Sequence, residues 1–579
     1  MSNNNEKIWL VAPAVADDVL KDLSDYHPLI VQILYNRGIK GKKDVEFFLN
    51  AEYPKNALDP FLFNYMARAV DLIISHIKKH NKIAVYGDYD ADGVTSSAIL
   101  YETLTIFKGY AQVYIPDRVS EGYGLNNPAI DQLLKEDIKL IITTDNGIRN
   151  KAEAAYAASQ GVDVIITDHH VPPPQADLPE CLIINPLREG EKFPFKYLAG
   201  VGVAFKLAVA LIAKSKLSDE DKAKLETRLL DLAAIGTVAD MVTLTGENRL
   251  IAKKGLEILN STNRIGLLEL IKAAGMKKEK YIDSWNIGFQ IGPRLNAAGR
   301  MEHANTAFEI LTTKDKNKAE KLARELNASN QDRQKITEEI LVEAEKQINP
   351  EDKLLIAIAP ICLEPWKEGV IGLVAGKIAQ KYYRPALIIT NCDDEYKGSG
   401  RSIEEFNIIN AVAQCADLLD KYGGHAQACG FGLKKENLDG FIAKIKNIAA
   451  MELNKSGIDL KPKIKIDSFI SLNDIDENLV KELEKLAPFG QDNERPVFMT
   501  KNIYILDILN MGSDGQHIKL RVKSEDSRVF SVLGFGQSEA LAHLSAGDRI
   551  DLVYYIEINE FNGKSDMQLK IVDIKLHNS

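Results

Sequence analysis

The sequence predicts an α/β protein built from a parallel-sheet lobe, a long connecting helix, a second and smaller α/β lobe, and a C-terminal OB-fold β-barrel. Three observations carry that reading. Near-continuous apolar runs alternate with helical stretches from Lys82 onward, a charged segment free of Gly and Pro runs from about Lys316 to Gln347, and short period-2 strands separated by Gly and Asp follow Pro496. The expected divisions are an N-terminal segment at 1–75, the first lobe at 76–315, the helix at 316–350, the second lobe at 351–457 and the barrel at 458–579.

In the first lobe, residues 82–87, 138–143, 162–167 and 181–185 are β-branched apolar runs, as expected of strands buried on both faces of a parallel sheet. Helix-like segments such as 95–107 and 152–159 separate them, and sites in such open sheets form beyond the carboxyl ends of the strands. Residues 205–274 read as mostly helical. In the charged segment Leu322, Leu326, Ile336, Ile340 and Leu341 keep helical spacing, and a helix of about 30 residues spans roughly 45 Å, enough to bridge two lobes. The second lobe begins with a strand at 354–358, continues through a helix at 370–382 and a strand at 385–389, and reaches a glycine-rich stretch around Gly423. Barrel strands are expected at 517–522, 528–532, 549–553 and 568–572.

Composition narrows the function. Against 72 Lys and Arg stand 82 Asp and Glu, a net charge of −10, which excludes a protein that holds nucleic acid by bulk positive charge. The start of the chain is polar and no run approaches the roughly 18 apolar residues of a membrane span, so a soluble, cytoplasmic protein is expected, with no membrane partner. Five scattered cysteines, never in a CxxC pair, read as reduced thiols rather than a disulfide or zinc framework. Gly87 to Gly93 lacks the Lys-Ser/Thr of a P-loop, Gly200-Val-Gly202 lacks the third glycine of a dinucleotide fingerprint, and there is no HExxH.

The most informative stretch is Val85-Tyr-Gly-Asp-Tyr-Asp-Ala-Asp-Gly93, in which a buried strand ends in Asp88, Asp90 and Asp92. Carboxylates this close repel unless a cation neutralises them. Two later strands end alike, one in Asp145-Asn-Gly147 and one in Asp168-His169-His170. Taken singly, Asp145 could be a helix cap and the histidine pair a loop feature. Taken together, three parallel strand ends that deliver oxygen ligands and imidazole to one edge suit Mn²⁺ or Mg²⁺, and several carboxylates suit two such ions.

These motifs, followed by Ala234-Ile-Gly-Thr-Val-Ala-Asp240, resemble the successive motifs of the DHH phosphoesterase superfamily. Within it, the segments 115–124, 291–300, 369–374, 398–402, 423–428 and 486–490 resemble the family of bacterial 5′ to 3′ exonucleases specific for single-stranded DNA. The resemblance implies a dinuclear site in which Asp92, Asp145, His169 and Asp240 hold one ion and Asp90 with Asp145 the other, Asp88 being a further ligand. It implies that His170 faces the substrate and that Asp168 orients its neighbours. Directionality requires a metal-free pocket for the 5′ end, and the candidates are Arg118, Ser399, Arg401 and His425, with Arg294 or Arg300 from the connecting region. Without the resemblance, Gly398-Ser-Gly-Arg-Ser402 and Gly423-Gly-His425 read as a turn and a loop.

The implied function is hydrolysis of single-stranded DNA from its 5′ end to 5′-mononucleotides, in repair and recombination, by a monomer working with a helicase and a single-strand-binding protein. The alternatives are a phosphodiesterase for short oligonucleotides or cyclic dinucleotides, which would lack the barrel, and a non-catalytic replication scaffold, which would lack metal ligands. Tyr504, Phe530, Phe535, Tyr554, Tyr555 and Phe561 could stack on bases, although barrel core is the simpler expectation for each. From Pro496 onward, nine basic residues face eleven acidic ones, so any groove on the barrel must be local.

Overall fold

The computed structural model describes residues 7–118, 120–277, 280–301, 303–360, 365–392, 395–455, 458–525, 528–561 and 564–577, with backbone alone for 392, 559–561 and 564–566. Cys362 therefore lies outside the described residues, as do the side chains of Cys392 and Phe561. Cys181, Cys415 and Cys429 are free thiols.

The first sheet comprises β1 (Lys82–Gly87), β2 (Tyr110–Tyr114), β3 (Ile138–Thr144), β4 (Asp163–Thr167) and β5 (Leu182–Ile184), in the order β2-β1-β3-β4-β5. All four pairings are parallel. The edge strand β2 escapes the sequence reading because it is half-exposed and its Tyr-Ala-Gln-Val-Tyr lacks a continuous apolar run. α1 (Ala91–Ile106) leaves the end of β1 and is covered by α2 (Gly200–Lys214) and α3 (Asp219–Ala239). Ala91 to Leu100 are consequently buried around the whole circumference of α1.

The register fixes where the functional side chains fall. Gly87 pairs with Thr144, Thr144 with Thr167 and Thr167 with Ile184, so the four strands stop in one row. The next residues, Asp88, Asp145 and Asp168, each donate a backbone N–H to the last carbonyl of the neighbouring strand, at 3.3, 2.9 and 3.2 Å. The chain order reverses between β1 and β3, which opens the crevice in which α/β sheets bind ligands.

α4 (Lys316–Glu345) is one 30-residue helix, packed by Leu322, Ala323 and Leu326 on the first lobe and by Ile340 and Ala344 on the second. The second lobe contains β6 (Leu355–Ile358), α5 (Glu368–Tyr382), β7 (Ala386–Cys392), β8 (Glu395–Arg401), β9 (Lys421–His425) and β10 (Ala428–Lys434), with sheet order β9-β10-β8-β7-β6. Residues 398–401 and 423–425, which by composition read as part of a turn and a loop, are thus paired strands. The physical reason is alternation: Cβ atoms on Gly398 and Gly400 would strike Phe431, Cys429 and Ile408 in the core, while Ser399 and Arg401 project from the other face.

The C-terminal strands Phe498–Met511, His517–Lys523, Phe530–Gly534, Arg549–Phe561 and Lys564–Leu576 form a barrel, closed by pairing of the first with the fourth. Phe530 and Tyr554 fill its core, whereas Phe535 is exposed. The first 75 residues divide between two units. Helices Pro28–Asn36 and Lys42–Asn50 join the barrel core, and strand Ile8–Val11 pairs with Lys463–Ile466, while helix Met66–Lys78 packs in the first lobe. Arg249 bolts that lobe to the barrel unit: buried, it donates to the carbonyls of Phe48, Leu486 and Lys485 at 2.9 to 3.0 Å.

Candidate metal centre and substrate pocket

Asp88 ends β1, and Asp90 caps α1, its Oδ1 accepting from the N–H groups of Asp92 and Gly93 at 2.9 and 3.0 Å. Asp92, on the first turn of α1, is held from the opposite side. The backbone N–H groups of Gly200 and Val201, at the start of α2, donate to its two oxygens at 2.7 Å each. Asp145 follows β3 with φ +64°, a left-handed conformation that aspartate adopts more readily than most non-glycine residues. Asp240 sits just past the C-terminus of α3, where the helix dipole disfavours a carboxylate.

These groups meet around His169. Its Nε2 is 3.2 Å from Asp145 Oδ1, 3.6 Å from Asp240 Oδ2 and 3.9 Å from Asp92 Oδ2. Burial, aided by the charge of His170, pushes the His169 imidazole down to about 4, so it is neutral at pH 7 and offers a lone pair rather than a proton. Burial pushes Asp92 up to about 7 and holds Asp88, Asp145 and Asp240 well above the ordinary carboxylate range, with mutual repulsion adding to each. Asp88 Oδ1, Asp145 Oδ1 and Asp240 Oδ2 are buried with no hydrogen-bond partner. Orphaned carboxyl oxygens, forced by burial and mutual repulsion to take up protons, around a neutral imidazole nitrogen form an environment in which a hard cation can neutralise several of them at once.

The donors fall into overlapping groups, Asp92 with His169 and Asp240, Asp88 with Asp90 and Asp145, and Asp145 with His169 and His170, the ligand atoms of each lying within 4.8 Å of one another. Asp145 contributes to two of them, and its Oδ1 lies beside His169 of the third. The donor set fits divalent ions of the Mn²⁺ or Mg²⁺ type.

Asp168 is fully buried and accepts from Ile148 N, His169 N, His170 N and His170 Nδ1 at 2.7 to 3.0 Å. Burial raises its proton affinity, but the hydrogen bond and charge of His170 overcome that and leave it below the usual range. Three of these four bonds come from the two histidines and the fourth from the loop after β3, so its contacts fit a residue that orients its neighbours. His170 is half-exposed, and Tyr123, missed in the sequence reading, braces it: its hydroxyl donates to Asp145 O at 3.0 Å and lies 3.1 Å from His170 Nδ1. The Gly200 and Val201 amides were equally invisible, although Gly200-Val-Gly202 draws notice when dinucleotide motifs are sought.

Across the crevice, Arg401 and His425 both pair with Ala428, which sets them in one row of the second sheet, and Ser399 Oγ is 3.3 Å from Arg401 Nη1. A Cβ on Gly372, early in α5, would fall 2.9 Å from Ser399 Oγ and 3.1 Å from Arg401 Nη2, so glycine lets the helix backbone approach this pair. Arg118 projects from the first lobe over the ring of Tyr89, 5.0 Å from its centroid, and its charge reaches Asp88, Arg300 and Arg401. Arg300 donates to Gly369 O of the second lobe at 2.9 Å. Arg294 stands apart, bonded to Gln290 O and Asn327 Oδ1.

Residues 82–237 match the DHH family, N-terminal domain, 353–451 the DHHA1 domain and 466–573 the RecJ OB domain. Fold and site together define a member of the DHH class. The chain is 40% identical over 552 residues to the single-stranded-DNA-specific exonuclease RecJ of Bacillus subtilis (strain 168), covering 94% of this chain and 68% of that one. To the protein of the same name from Haemophilus influenzae it is 32% identical over 564 residues, covering 94% and 96%. The crystal structure of RecJ from Thermus thermophilus in complex with Mn²⁺ superposes with a TM-score of 0.83 at 28% identity, covering 100% of this chain and 81% of that one. Its Mg²⁺ complex gives 0.76 at 26% identity, covering 99% and 79%. The chain belongs to the RecJ family.

Among the described residues no helix is long and apolar enough to cross a membrane.

Proposed function

We propose that the protein hydrolyses single-stranded DNA from the 5′ end, releasing 5′-mononucleotides, with two divalent cations held by Asp88, Asp90, Asp92, Asp145, His169 and Asp240. The observation that carries this reading is the pairing of a carboxylate-imidazole cluster whose buried oxygens lack partners with Ser399 and Arg401 on the second lobe and Arg118 on the first. Bound ions supply an acidified water and neutralise charge on the phosphoryl oxygens. The remaining work belongs to the chain. Asp168 and Tyr123 fix the His170 ring beside Asp145, placing its half-exposed edge where a phosphodiester would lie. Arg118, Ser399 and Arg401, with His425 beside them, present forked and hydroxyl donors that match a terminal phosphate. A strand anchored there by its 5′ end sets its first internal phosphate over the metal cluster, which gives the polarity. The closed barrel, joined to the first lobe through Arg249, supports a reading in which it guides the rest of the strand.

Because the substrate is single-stranded, a helicase that exposes it and a protein that coats it are the partners we infer, in the cytoplasm where the DNA lies. The test is Arg401→Gln: it should abolish the preference for a 5′-phosphate over a 5′-hydroxyl end while Mn²⁺ binding stays intact. An unchanged preference would remove Arg401 from the terminal pocket.

A further inference from the structure

The inner stripe of α4 is apolar at both ends but polar in the middle, at Asn327, Ser329, Asn330 and Arg333. A strut between two lobes needs no arginine there. Arg333 Nε and Asn330 Oδ1 are buried without a hydrogen-bond partner, and Asn330 is only 2% exposed. Facing them is Arg294, whose Nε donates to Asn327 Oδ1 at 3.1 Å. Arg294 lies on the helix Gly292–Met301, and six residues further along it is Arg300 at the mouth of the crevice. Burial and the repulsion of Arg294 disfavour the charge on Arg333; on Arg300 burial and neighbouring arginines outweigh the attraction of Asp90, and among the described residues neither of these nor Arg294 forms an ion pair with a carboxylate. Uncompensated, desolvated guanidinium groups destabilise a fold, and an orphaned buried donor adds to that. An anion arriving from outside resolves both problems.

We propose that Arg333 and Arg294 form a second phosphate station, gripping the backbone of a single strand downstream of the scissile bond and distinct from the terminal pocket of Arg118, Ser399 and Arg401. This rests on the exonuclease reading above. The rise from Arg300 to Arg294 is about 9 Å, which corresponds to roughly two to three stacked nucleotides. The station therefore touches strands longer than a dinucleotide and ignores the dinucleotide itself. Arginine suits the task because its planar fork meets two phosphate oxygens without being rebuilt for each base.

The test is binding by fluorescence anisotropy in the presence of EDTA, so that no cleavage occurs, using a 5′-phosphorylated thymidine oligonucleotide of roughly ten residues and a 5′-phosphorylated thymidine dinucleotide. Arg333→Gln should weaken the longer strand roughly tenfold and lower the slope of log affinity against log salt by about 0.7, the loss of one single-strand phosphate contact. Dinucleotide affinity should not change, and the Tm of the free protein should hold or rise because repulsion is relieved. Arg294→Gln should show the same length dependence. Equal weakening of both lengths, no weakening of either, or a fall in Tm that accounts for the lost binding would each overturn the station. Failure of the unaltered protein to bind the longer strand would instead overturn the exonuclease reading.

Discussion

Gly200→Ala probes the centre through a position that no metal ion touches. A Cβ built there lies 2.6 Å from Asp145 Oδ1 and 2.7 Å from both Asp145 Cβ and Cγ, so restoring ordinary contact near 3.5 Å requires Asp145 or the start of α2 to retreat by roughly 1 Å. Neither can do so freely. Asp145 is pinned by its N–H to Thr167 O, and Gly200 N is itself the donor that holds Asp92. Overpacking of this kind costs about 1–3 kcal/mol, and a 1 Å error at a reacting centre costs about a hundredfold in rate. Metal ligands tolerate displacements of only about 0.2 Å, so Mn²⁺ affinity should fall with activity. Mononucleotide release with Mn²⁺, Mn²⁺ titration by calorimetry and the Tm of the metal-free protein read the three effects. Gly288→Ala, where nothing lies within 4 Å, is the control and should match the unaltered protein. A Gly200→Ala protein with normal rate and normal Mn²⁺ affinity would refute the argument that this glycine is required by its approach to Asp145.

Two further outcomes follow from the same geometry. Burial raises Asp92 from 3.8 to about 7, so the folded chain keeps a proton that the unfolded chain has released, and in EDTA stability should fall as pH rises from about 4 to 7, by roughly 4 kcal/mol for this group. Asp88, Asp145 and Asp240 shift in the same direction, and the gain in Tm on adding Mn²⁺ should be larger at pH 8 than at pH 5.5; scanning fluorimetry showing the reverse trend would contradict the burial argument. Arg249→Ala leaves three carbonyls without their donor, at about 1 kcal/mol each, and should split calorimetric unfolding into separate transitions for the barrel unit and the first lobe. A single unshifted transition would show that other contacts couple them.

The parallel sheet and the edge on which the site lies are legible in the sequence, because Asp88, Asp145 and Asp168 each follow a buried apolar run and the register simply lines up what the runs announce. The 30-residue helix is legible because nothing in 316–345 interrupts it. Asp240 is different: it follows an ordinary helix, and only its resemblance to a family motif sets it apart. Gly398-Ser-Gly-Arg misleads because glycine and serine are turn residues by composition, and the alternation that makes them a strand depends on Phe431, thirty residues away and unseen locally. Backbone donors such as the Gly200 amide carry no residue-type signal at all. The pairing of Ile8–Val11 with Lys463–Ile466 joins opposite ends of the chain, beyond the reach of any local pattern. Arg333 is one charge among many on a charged helix, and only the packing of α4 distinguishes it.

The central claim is that one cluster, bridged by Asp145, removes nucleotides from the 5′ end of a single strand. The most direct measurement is time-resolved product analysis of a single-stranded oligonucleotide labelled differently at its two ends, with Mn²⁺, for the unaltered protein and for Asp145→Asn. The 5′ label should appear at once in mononucleotides while the 3′ label stays in shortening strands, and Asp145→Asn should release neither. Early release of the 3′ label, or undiminished release by Asp145→Asn, would contradict the account.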